Sequence, residues 1–416
     1  MRIITILNKC HHFTGFVYNK ASYSDTSKNE IEVQICARKN SKGKCSNCFI
    51  SCPGYDKLPS RRYEFIPIWG FLVFLIYAKR RVNCPNCGII AEYLPWAHGK
   101  NHLCNVYMQF LAHWAKKLSW KEVAISFGTS WDKVFRSVEY VVEWGLRHRN
   151  LDGITAIGVD EVNVGKGHKY LTLVYQINEN CKRLLWVSKE RTVPSFNGFF
   201  DFLGEEKTKK LEFVCSDMWK PYLKVIKERA SNAINILDRF HIAARLNKAL
   251  DVVRANEYRK MEEDGYEPVL KKTRWLLLKR PENLTENQDV SLKKLLQYNL
   301  KSVRGYLLKE DFQSFWDYIS PHHAGIFLDK WVNKVMRSRI EPLKKEAKTI
   351  KRHKDLILNW FRAKKAFSSG VVEGLNNKVK LTMRKSYGFR TYKCTEIALF
   401  HVLGKLPEPK TTHKFY

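Results

Sequence analysis

Long apolar runs are scarce in this chain, and so are the signals of export or membrane attachment. The longest apolar run, Phe65–Ala78, contains Pro67 and Gly70 and is shorter than the roughly 18 residues that a membrane-spanning helix needs. We therefore predict β-structure for it. Met1–Lys9 lacks a small-residue cleavage pattern, so we expect no secretory signal. Without a basic amphipathic helix or a lipidation signal, a membrane-surface role is disfavoured.

Acidic side chains are also few. The chain has 41 Asp and Glu against 73 Lys and Arg, and the formal charge of +32 is spread along its length. Such an excess favours an anionic partner, most often nucleic acid. Hydrophobic residues make up 44% of the 416 residues, which predicts a globular chain of two or three domains.

The cysteines are too dilute for a secreted disulfide scaffold, and four of the eleven form two Cys-x-x-Cys motifs. Cys45 with Cys48, and Cys84 with Cys87, each offer two thiolates at the spacing that tetrahedral Zn²⁺ needs. We predict structural zinc in a reducing cytosol, within a zinc ribbon over residues 40–95. A hairpin must fill the 35 residues between the motifs. Cys52 is an alternative ligand, and a redox site is the competing interpretation.

Leu118–Leu146 predicts two short helices joined by a turn. Ser119 and Glu122 form a capping box for the first helix, and Ser130 caps the second after a Gly-containing turn. In a basic protein this pattern favours a helix-turn-helix, which we assign to residues 100–150. An ordinary helical hairpin is the alternative. The DNA contacts expected from the second helix are Trp131, Lys133 and Arg136.

The middle of the chain alternates between strand and helix patterns. Predicted strands are 154–164, 170–177, 183–188, 211–215 and 233–237, and predicted helices are 195–203 and 222–230. Three strands followed by alternating helix and strand describe a mixed α/β sheet with acids at strand ends. This is the order that a ribonuclease-H-like fold requires.

Three acids in this arrangement suit metal-dependent phosphodiester chemistry. Asp160 lies in the first strand, Asp217 follows the fourth, and Glu373 opens a basic helix within Phe367–Arg390. Two-metal cleavage needs carboxylates that flank ions about 3.5–4 Å apart, and Mg²⁺ prefers carboxylate oxygen. A single Asp after a strand is more often a cap or turn residue. We expect Glu161 to face outward, because neighbouring strand residues point to opposite faces.

Several segments together resemble a known family. They are GVDEV at Gly158–Val162, SDMWKPY at Ser216–Tyr222, DRFH at Asp238–His241 and GVVEGLNNKVK at Gly370–Lys380. They resemble the DDE transposases of bacterial insertion sequences, above all the ISL-three group. The resemblance covers roughly Cys45 to Gly404, nearly the whole chain.

The resemblance implies a catalytic domain at 154–404, in which Asp160, Asp217 and Glu373 are the catalytic acids and bind two Mg²⁺ or Mn²⁺ ions. Asp238 and His241 match an accessory Asp-x-x-His motif. The implied partner is double-stranded DNA, as element ends and as target, bound by a homo-oligomer in the bacterial cytoplasm at the nucleoid. The cations that we expect to hold the DNA backbone are Lys378, Lys380, Arg384 and Arg390.

Between Asp217 and Glu373 lie 155 residues, more than one crossover needs. We predict an all-α insertion at about 250–360, with helices over 248–260, 292–308 and 326–349 and a break within 280–289. Two other functions stay open. One is a non-catalytic DNA-binding regulator or inactive transposase remnant, and the other is a zinc-dependent hydrolase, which the closed cysteine set disfavours.

Overall fold

A computed structural model of the chain describes residues 2–25, 27, 29–99, 101–165, 169–267, 269–365, 370–386 and 388–410. Part of the segment 367–390 that the sequence singled out, namely 367–369 and 387, lies outside these residues. By its internal contacts the chain divides into two compact units. One comprises Met1–Asn150 with Leu381–Tyr416, and the other Leu151–Lys380. The predicted domain limits stay predictions.

The described residues form a mixed α/β protein with two five-stranded sheets. The strands are β1 Phe16–Tyr23, β2 Glu30–Ala37, β3 Gly43–Lys44, β4 Ser51–Cys52, β5 Gly54–Ile68, β6 Phe71–Cys84, β7 Gly88–Ala91, β8 Ala156–Gly165, β9 Lys169–Asn178, β10 Cys181–Lys189, β11 Phe213–Ser216 and β12 Ile234–Leu237.

The helices differ widely in length. They are α1 Ile3–Cys10, α2 Asn105–Ala115, α3 Trp120–Ser126, α4 Trp131–His148, α5 Val193–Leu203, α6 Glu205–Thr208, α7 Lys220–Arg229, α8 Arg239–Glu263, α9 Arg274–Leu278, α10 Glu286–Leu295, α11 Lys301–Gln313, α12 Pro321–Arg337, α13 Glu341–Arg352, α14 Lys354–Arg362, α15 Gly370–Lys385 and α16 Tyr392–Leu403. Short 3₁₀ turns span Pro281–Asn283 and Ser314–Asp317. Within the described residues, no helix is long and apolar enough to cross a membrane.

The apolar run Phe65–Ala78 lies in the β5–β6 hairpin, as the sequence predicts. Strands β5 and β6 pair antiparallel, and Ile68 faces Phe71 at the end of the hairpin. The two residues between them, Trp69 and Gly70, both have positive φ, at 50° and 84°. That is the backbone of a two-residue turn whose twist matches the flanking strands.

Helices α3 and α4 begin where their caps predict. The Ser119 hydroxyl accepts a hydrogen bond from the Glu122 N–H at 3.3 Å, and the Ser119 N–H donates to the Glu122 carboxylate at 2.7 Å. The Ser130 hydroxyl accepts from the Lys133 N–H at 3.3 Å. Gly128, with φ of 61°, makes the turn between the two helices.

The sheet of the second unit has the order β10-β9-β8-β11-β12. Strands β8, β9 and β10 form an antiparallel meander, while β11 is parallel to both β8 and β12. One face of the sheet packs on α5 and α7 through a core that includes Val159, Phe196 and Tyr222. Every predicted strand and helix of this region is present, within a few residues of its expected limits.

The stretch between β12 and α15 is helical, but all three of its predicted helices are wrong in length. The helix expected over 248–260 is the longer α8, because the Asp238 side chain caps a start at Arg239. The single helix expected over 292–308 is two helices, because the Glu257 carboxylate accepts the N–H groups of Lys301 and Ser302 at 2.8 Å and so caps a new start. The helix expected over 326–349 also breaks, at Arg339 with φ of 58°. Pro342, in the first turn of α13, was the overlooked sequence signal.

Candidate active site and metal centre

Acids of three neighbouring parallel strands meet at one edge of the second sheet. Cys215 of β11 is level with Gly158 of β8, and Ser216 is level with Leu237 of β12. Continuing this register brings Asp160, Asp217 and Asp238 to the same level across the sheet. Asp160 belongs to β8 itself, while the other two directly follow their strands.

Helix α15 packs on strand β8 beside Asp160. The Asn376 side-chain amide donates to Asp160 Oδ2 at 2.6 Å, and its carbonyl oxygen accepts the Tyr175 hydroxyl at 2.7 Å. A Cβ atom added at Gly158 would lie 2.5 Å from Val372 Cγ2, so the helix contacts the strand where no side chain intervenes. Glu373, exposed and one turn before Asn376, belongs to the part of the helix that this contact anchors.

Arg191 joins two acids across the other side of the site. Its guanidinium lies 2.7 Å from Glu161 Oε1 and 3.0 Å from Asp217 Oδ2, and both carboxylates are 13% exposed. The same guanidinium lies over the Trp219 ring at 4.1 Å. The remaining oxygen of Asp217, Oδ1, accepts the Trp219 N–H at 2.9 Å. Asp217 is therefore held through both of its oxygens.

Burial and like charge dominate the electrostatics of this site. Burial raises the pKa of Asp160, and nearby Asp217 and Asp238 raise it further, against the lowering effect of the Glu161 N–H and His241. Burial also raises the pKa of Glu161 to about 7, with Asp217 adding to the shift and Arg191 opposing it. Arg191 supplies one guanidinium against the partly buried carboxylates of Asp160, Glu161, Asp217 and Asp238, so the cluster favours a further cation.

Asp238 and His241 border this cluster. The Asp238 carboxylate accepts the Phe240 N–H at 2.7 Å and so caps α8. His241 Nε2 lies 3.7 Å from Asp238 Oδ2. The histidine is 43% exposed, which leaves it accessible to a ligand at the strand edge.

The four predicted zinc ligands converge in the first unit. Donor atoms of Cys45, Cys48, Cys84 and Cys87 all lie within 4.8 Å of one another. Among the described residues this is the one set of three or more potential ligands that meets this spacing. The carboxylate oxygens of Asp160, Asp217 and Glu373 therefore do not all lie within 4.8 Å of one another. Cys52 lies outside the set, and its thiol donates to the Ile50 carbonyl at 3.3 Å.

The cysteines of this set differ in pKa. A hydrogen bond from the backbone of Ile50 lowers the pKa of Cys48, but the Cys84 thiol, burial and the thiols of Cys45 and Cys87 raise it to about 12. Burial acts to raise the pKa of Cys84, but hydrogen bonds from the backbone of Asn86 and Cys87 and from the Cys48 thiol lower it to about 6. The Asn47 N–H also points to Cys45 Sγ at 3.4 Å, and the Asn47 amide to Cys87 Sγ at 3.5 Å. Because the thiolate is the form that binds metal, this environment suits a soft or borderline cation.

Comparison with known proteins identifies the family. A protein-family model described as Transposase, of the ISL-three group, matches residues 157–399, more than half of the chain. The chain belongs to the ISL-three family of transposases. The match runs from β8 to α16 and contains all three predicted acids.

Curated relatives of this transposase agree with that assignment. The chain is similar to the transposase for insertion sequence element IS1001 of Bordetella parapertussis, with 27% identity over 83% of this chain and 85% of the relative. It is also similar to the transposase for insertion sequence element IS1557 of Mycobacterium tuberculosis, with 29% identity over 88% of this chain and 86% of the relative.

The predicted DNA contacts of the transposase on α4 already have partners. Lys133 forms an ion pair with the buried Glu64, and Arg136 pairs with Asp132 at 3.0 Å. Trp131, 44% exposed, stacks on Phe135 with 5.7 Å between ring centroids. These contacts restrict the side chains, and DNA binding by them stays a prediction.

Helix α15 of the transposase presents its acid and some of its cations on a common face. Glu373, Lys380 and Arg384 are exposed and follow one another at spacings of seven and four residues, which bring side chains to one side of a helix. Lys378 lies on another side of the helix, and Arg390 beyond its end is exposed. DNA binding by these cations stays a prediction.

Some site residues of the transposase were not evident from its sequence. Arg191 belongs to no recognisable sequence motif, and its role depends on the proximity of Glu161 and Asp217. Our expectation that Glu161 faces outward was wrong, because it lies on the opposite face from Asp160 but is buried there against Arg191. One sequence feature pointed to Asn376, namely an Asn inside a predicted helix close to the third acid. Its hydrogen-bond partner Asp160 lies 216 residues away, so the contact itself was not predictable.

Proposed function

We propose that this protein is a DDE transposase that binds the terminal inverted repeats of an insertion sequence, cleaves the element ends and joins the freed 3′-hydroxyls to target DNA. One observation carries the proposal. The hydrogen bond from Asn376 to Asp160 ties the helix of Glu373 to the strand-edge acids. The strand order β10-β9-β8-β11-β12, with its antiparallel meander and two parallel strands, supports a ribonuclease-H-like core.

Asp160, Asp217 and Glu373 would hold the two Mg²⁺ or Mn²⁺ ions. The residues fit such ions, because hard divalent cations prefer carboxylate oxygen and the carboxylates outnumber the one guanidinium, that of Arg191, that pairs with them. Bound ions would supply activation of the attacking oxygen and stabilisation of the leaving oxygen. Asn376 orients Asp160, and Trp219 and Arg191 orient Asp217. Lys380 and Arg384 are suited to hold the DNA backbone.

The four cysteines would hold a structural Zn²⁺ in a zinc ribbon, and α3 with α4 would form a helix-turn-helix. Both elements belong to the first unit and would bind the element ends. A closed set of four cysteines leaves no open coordination position, which supports a structural role for zinc.

The test is strand cleavage on a plasmid that carries the element ends, with Mg²⁺ or Mn²⁺ against EDTA. Asp217→Asn should abolish cleavage and leave end binding intact. Asp201→Asn, which removes an exposed carboxylate paired with Arg229, is the matched control and should cleave normally. Cleavage by Asp217→Asn at the wild-type rate would reject the three-acid site. A wild type that binds ends but never cleaves would instead indicate a non-catalytic regulator.

A further inference from the structure

The first unit contains an open cleft beside the cysteine motifs. It encloses about 1000 Å³ and is bordered by strands β5 and β6 and by the segment that follows β7. Its basic and aromatic lining residues are Arg61, Arg62, Tyr63, Lys79, Tyr93, His98 and His102. None of these is among the residues that the sequence assigned to DNA.

Two cations of this cleft have no acidic partner. Arg61 lies opposite Tyr77 in the β5–β6 ladder, and Lys79 follows Tyr77 by two residues, so both belong to the same face of the hairpin. Within the described residues, neither Arg61 nor Lys79 forms an ion pair. Burial lowers the pKa of Lys79, and the neighbouring charge of Arg61 lowers it further, while the charge of Glu92 opposes the shift. The positive charges of Arg61 and Lys79 therefore repel each other where both side chains are partly buried.

The acid that lines the cleft is already neutralised. Glu92 is fully buried and accepts hydrogen bonds from the Tyr77 hydroxyl at 2.6 Å and from Arg80 Nε at 2.9 Å. The charge of Arg62 is also neutralised, because its guanidinium lies 2.6 Å from the Glu30 carboxylate. The unbalanced charge of the cleft is thus confined to Arg61 and Lys79, with exposed His98 and His102 at its border.

Aromatic and hydroxyl groups add to the anion-binding character. Tyr93 is 37% exposed and contacts Phe49, itself 57% exposed, at 5.2 Å between ring centroids. Burial raises the pKa of the Tyr63 hydroxyl in the cleft wall, and the nearby guanidinium of Arg61 opposes that shift. Arg, Lys and Tyr side chains are among the groups that contact the phosphates and sugars of DNA.

We infer that this cleft binds the phosphodiester backbone of duplex DNA, with Arg61 and Lys79 as the phosphate contacts. The inference rests on the proposed function, since it adds a contact surface for the element ends on the cysteine-bearing unit. Such contacts raise affinity without reading sequence, because phosphates are the same at every base pair.

The experiment measures binding of the full-length protein to a labelled duplex carrying the element end, and to a random duplex of equal length, over a range of salt concentrations. Arg61→Gln with Lys79→Gln should weaken binding to both duplexes by roughly tenfold per lost contact at 0.1 M salt. The slope of log K against log salt should fall by about 1.8, at about 0.9 per phosphate. Lys209→Gln with Lys210→Gln removes the same charge from exposed ion pairs elsewhere and should leave both quantities unchanged.

A charge-retaining variant, Arg61→Lys with Lys79→Arg, should keep the wild-type salt slope. Circular dichroism and measurement of the bound metal check that each variant is folded. Equal affinity and slope in wild type and the Gln variant would overturn the inference. The inference would also be overturned if the Gln variant kept DNA binding but lost binding of inorganic phosphate or of a free deoxynucleotide, because the cleft would then bind a small ligand. Failure of the proposed function is separate, since it appears as a wild type that binds ends and does not cleave them.

Discussion

Gly158→Ala tests whether the contact between β8 and α15 positions the candidate site. The new methyl group would lie 2.5 Å from Val372 Cγ2, closer than side-chain atoms approach. Val372 is buried and β-branched, so it cannot rotate away freely. The helix must shift from the strand, and it carries both Glu373 and Asn376.

Two opposing effects set the expected size of the change. Overpacking a filled core costs about 1–3 kcal/mol. Replacing Gly by Ala restricts the unfolded chain and returns about 0.4–1 kcal/mol, since Gly158 lies in a strand without positive φ. The free energy of unfolding should therefore fall by roughly 1–2 kcal/mol. DNA cleavage should fall further, because a displacement approaching 1 Å costs roughly 100-fold in rate.

Urea unfolding in EDTA and plasmid cleavage in Mg²⁺ measure the two effects. In a Val372→Ala background the same Gly158→Ala change should cost almost nothing, because the clashing methyl group is gone. Gly374→Ala is the control on the same helix. It has open space around it, so it should stabilise the protein by about 0.5–1 kcal/mol. A Gly158→Ala protein as stable and active as wild type would refute the packing argument, and so would the same cost in the Val372→Ala background.

Three further changes test other parts of the structure. Arg191→Met should lower the free energy of unfolding in EDTA by roughly 3 kcal/mol, because two buried carboxylates lose their shared cation; a loss under about 1 kcal/mol in urea unfolding would contradict the bridge. Cys84→Ser should lose bound zinc by elemental analysis whereas Cys52→Ser keeps it, and zinc loss from both would argue against the four-cysteine set. Burial lowers the pKa of His401 to about 3, with help from nearby cations, so the folded state resists a proton that the unfolded state takes up near pH 6.5. Stability is then lost as the pH falls, and between pH 7.5 and 5 wild type should lose about 2 kcal/mol more than His401→Leu in urea unfolding; equal losses would rule out this buried neutral histidine.

Local patterns predicted most of the elements of this fold. The capping residues Ser119 and Ser130, the apolar hairpin around Gly70 and the alternation of strands and helices between residues 154 and 237 depend on neighbours in sequence. These features are therefore visible without a structure. The breaks of the long helical region were less visible, since the start of α11 is capped by Glu257, which is 44 residues distant from Lys301.

The sequence by itself determined the chemistry that the chain can offer. Two Cys-x-x-Cys pairs, two acids in or after predicted strands, a third at the start of a basic helix and a large excess of positive charge all follow from residue identity and spacing. These residues also carried the resemblance to transposases, which the family match confirmed.

Only the tertiary structure decided which of these groups act on one another. Arg191, in the connection between β10 and α5, donates to Asp217, which follows β11, and Asn376 donates to Asp160 where Gly158 lets helix α15 approach β8. Arg62 pairs with Glu30 and Arg80 with Glu92, whereas Arg61 and Lys79 form no ion pair in the part of the chain that the structure describes. Charge pairing and burial depend on contacts between segments distant in the chain, and such contacts leave no periodic trace in the sequence.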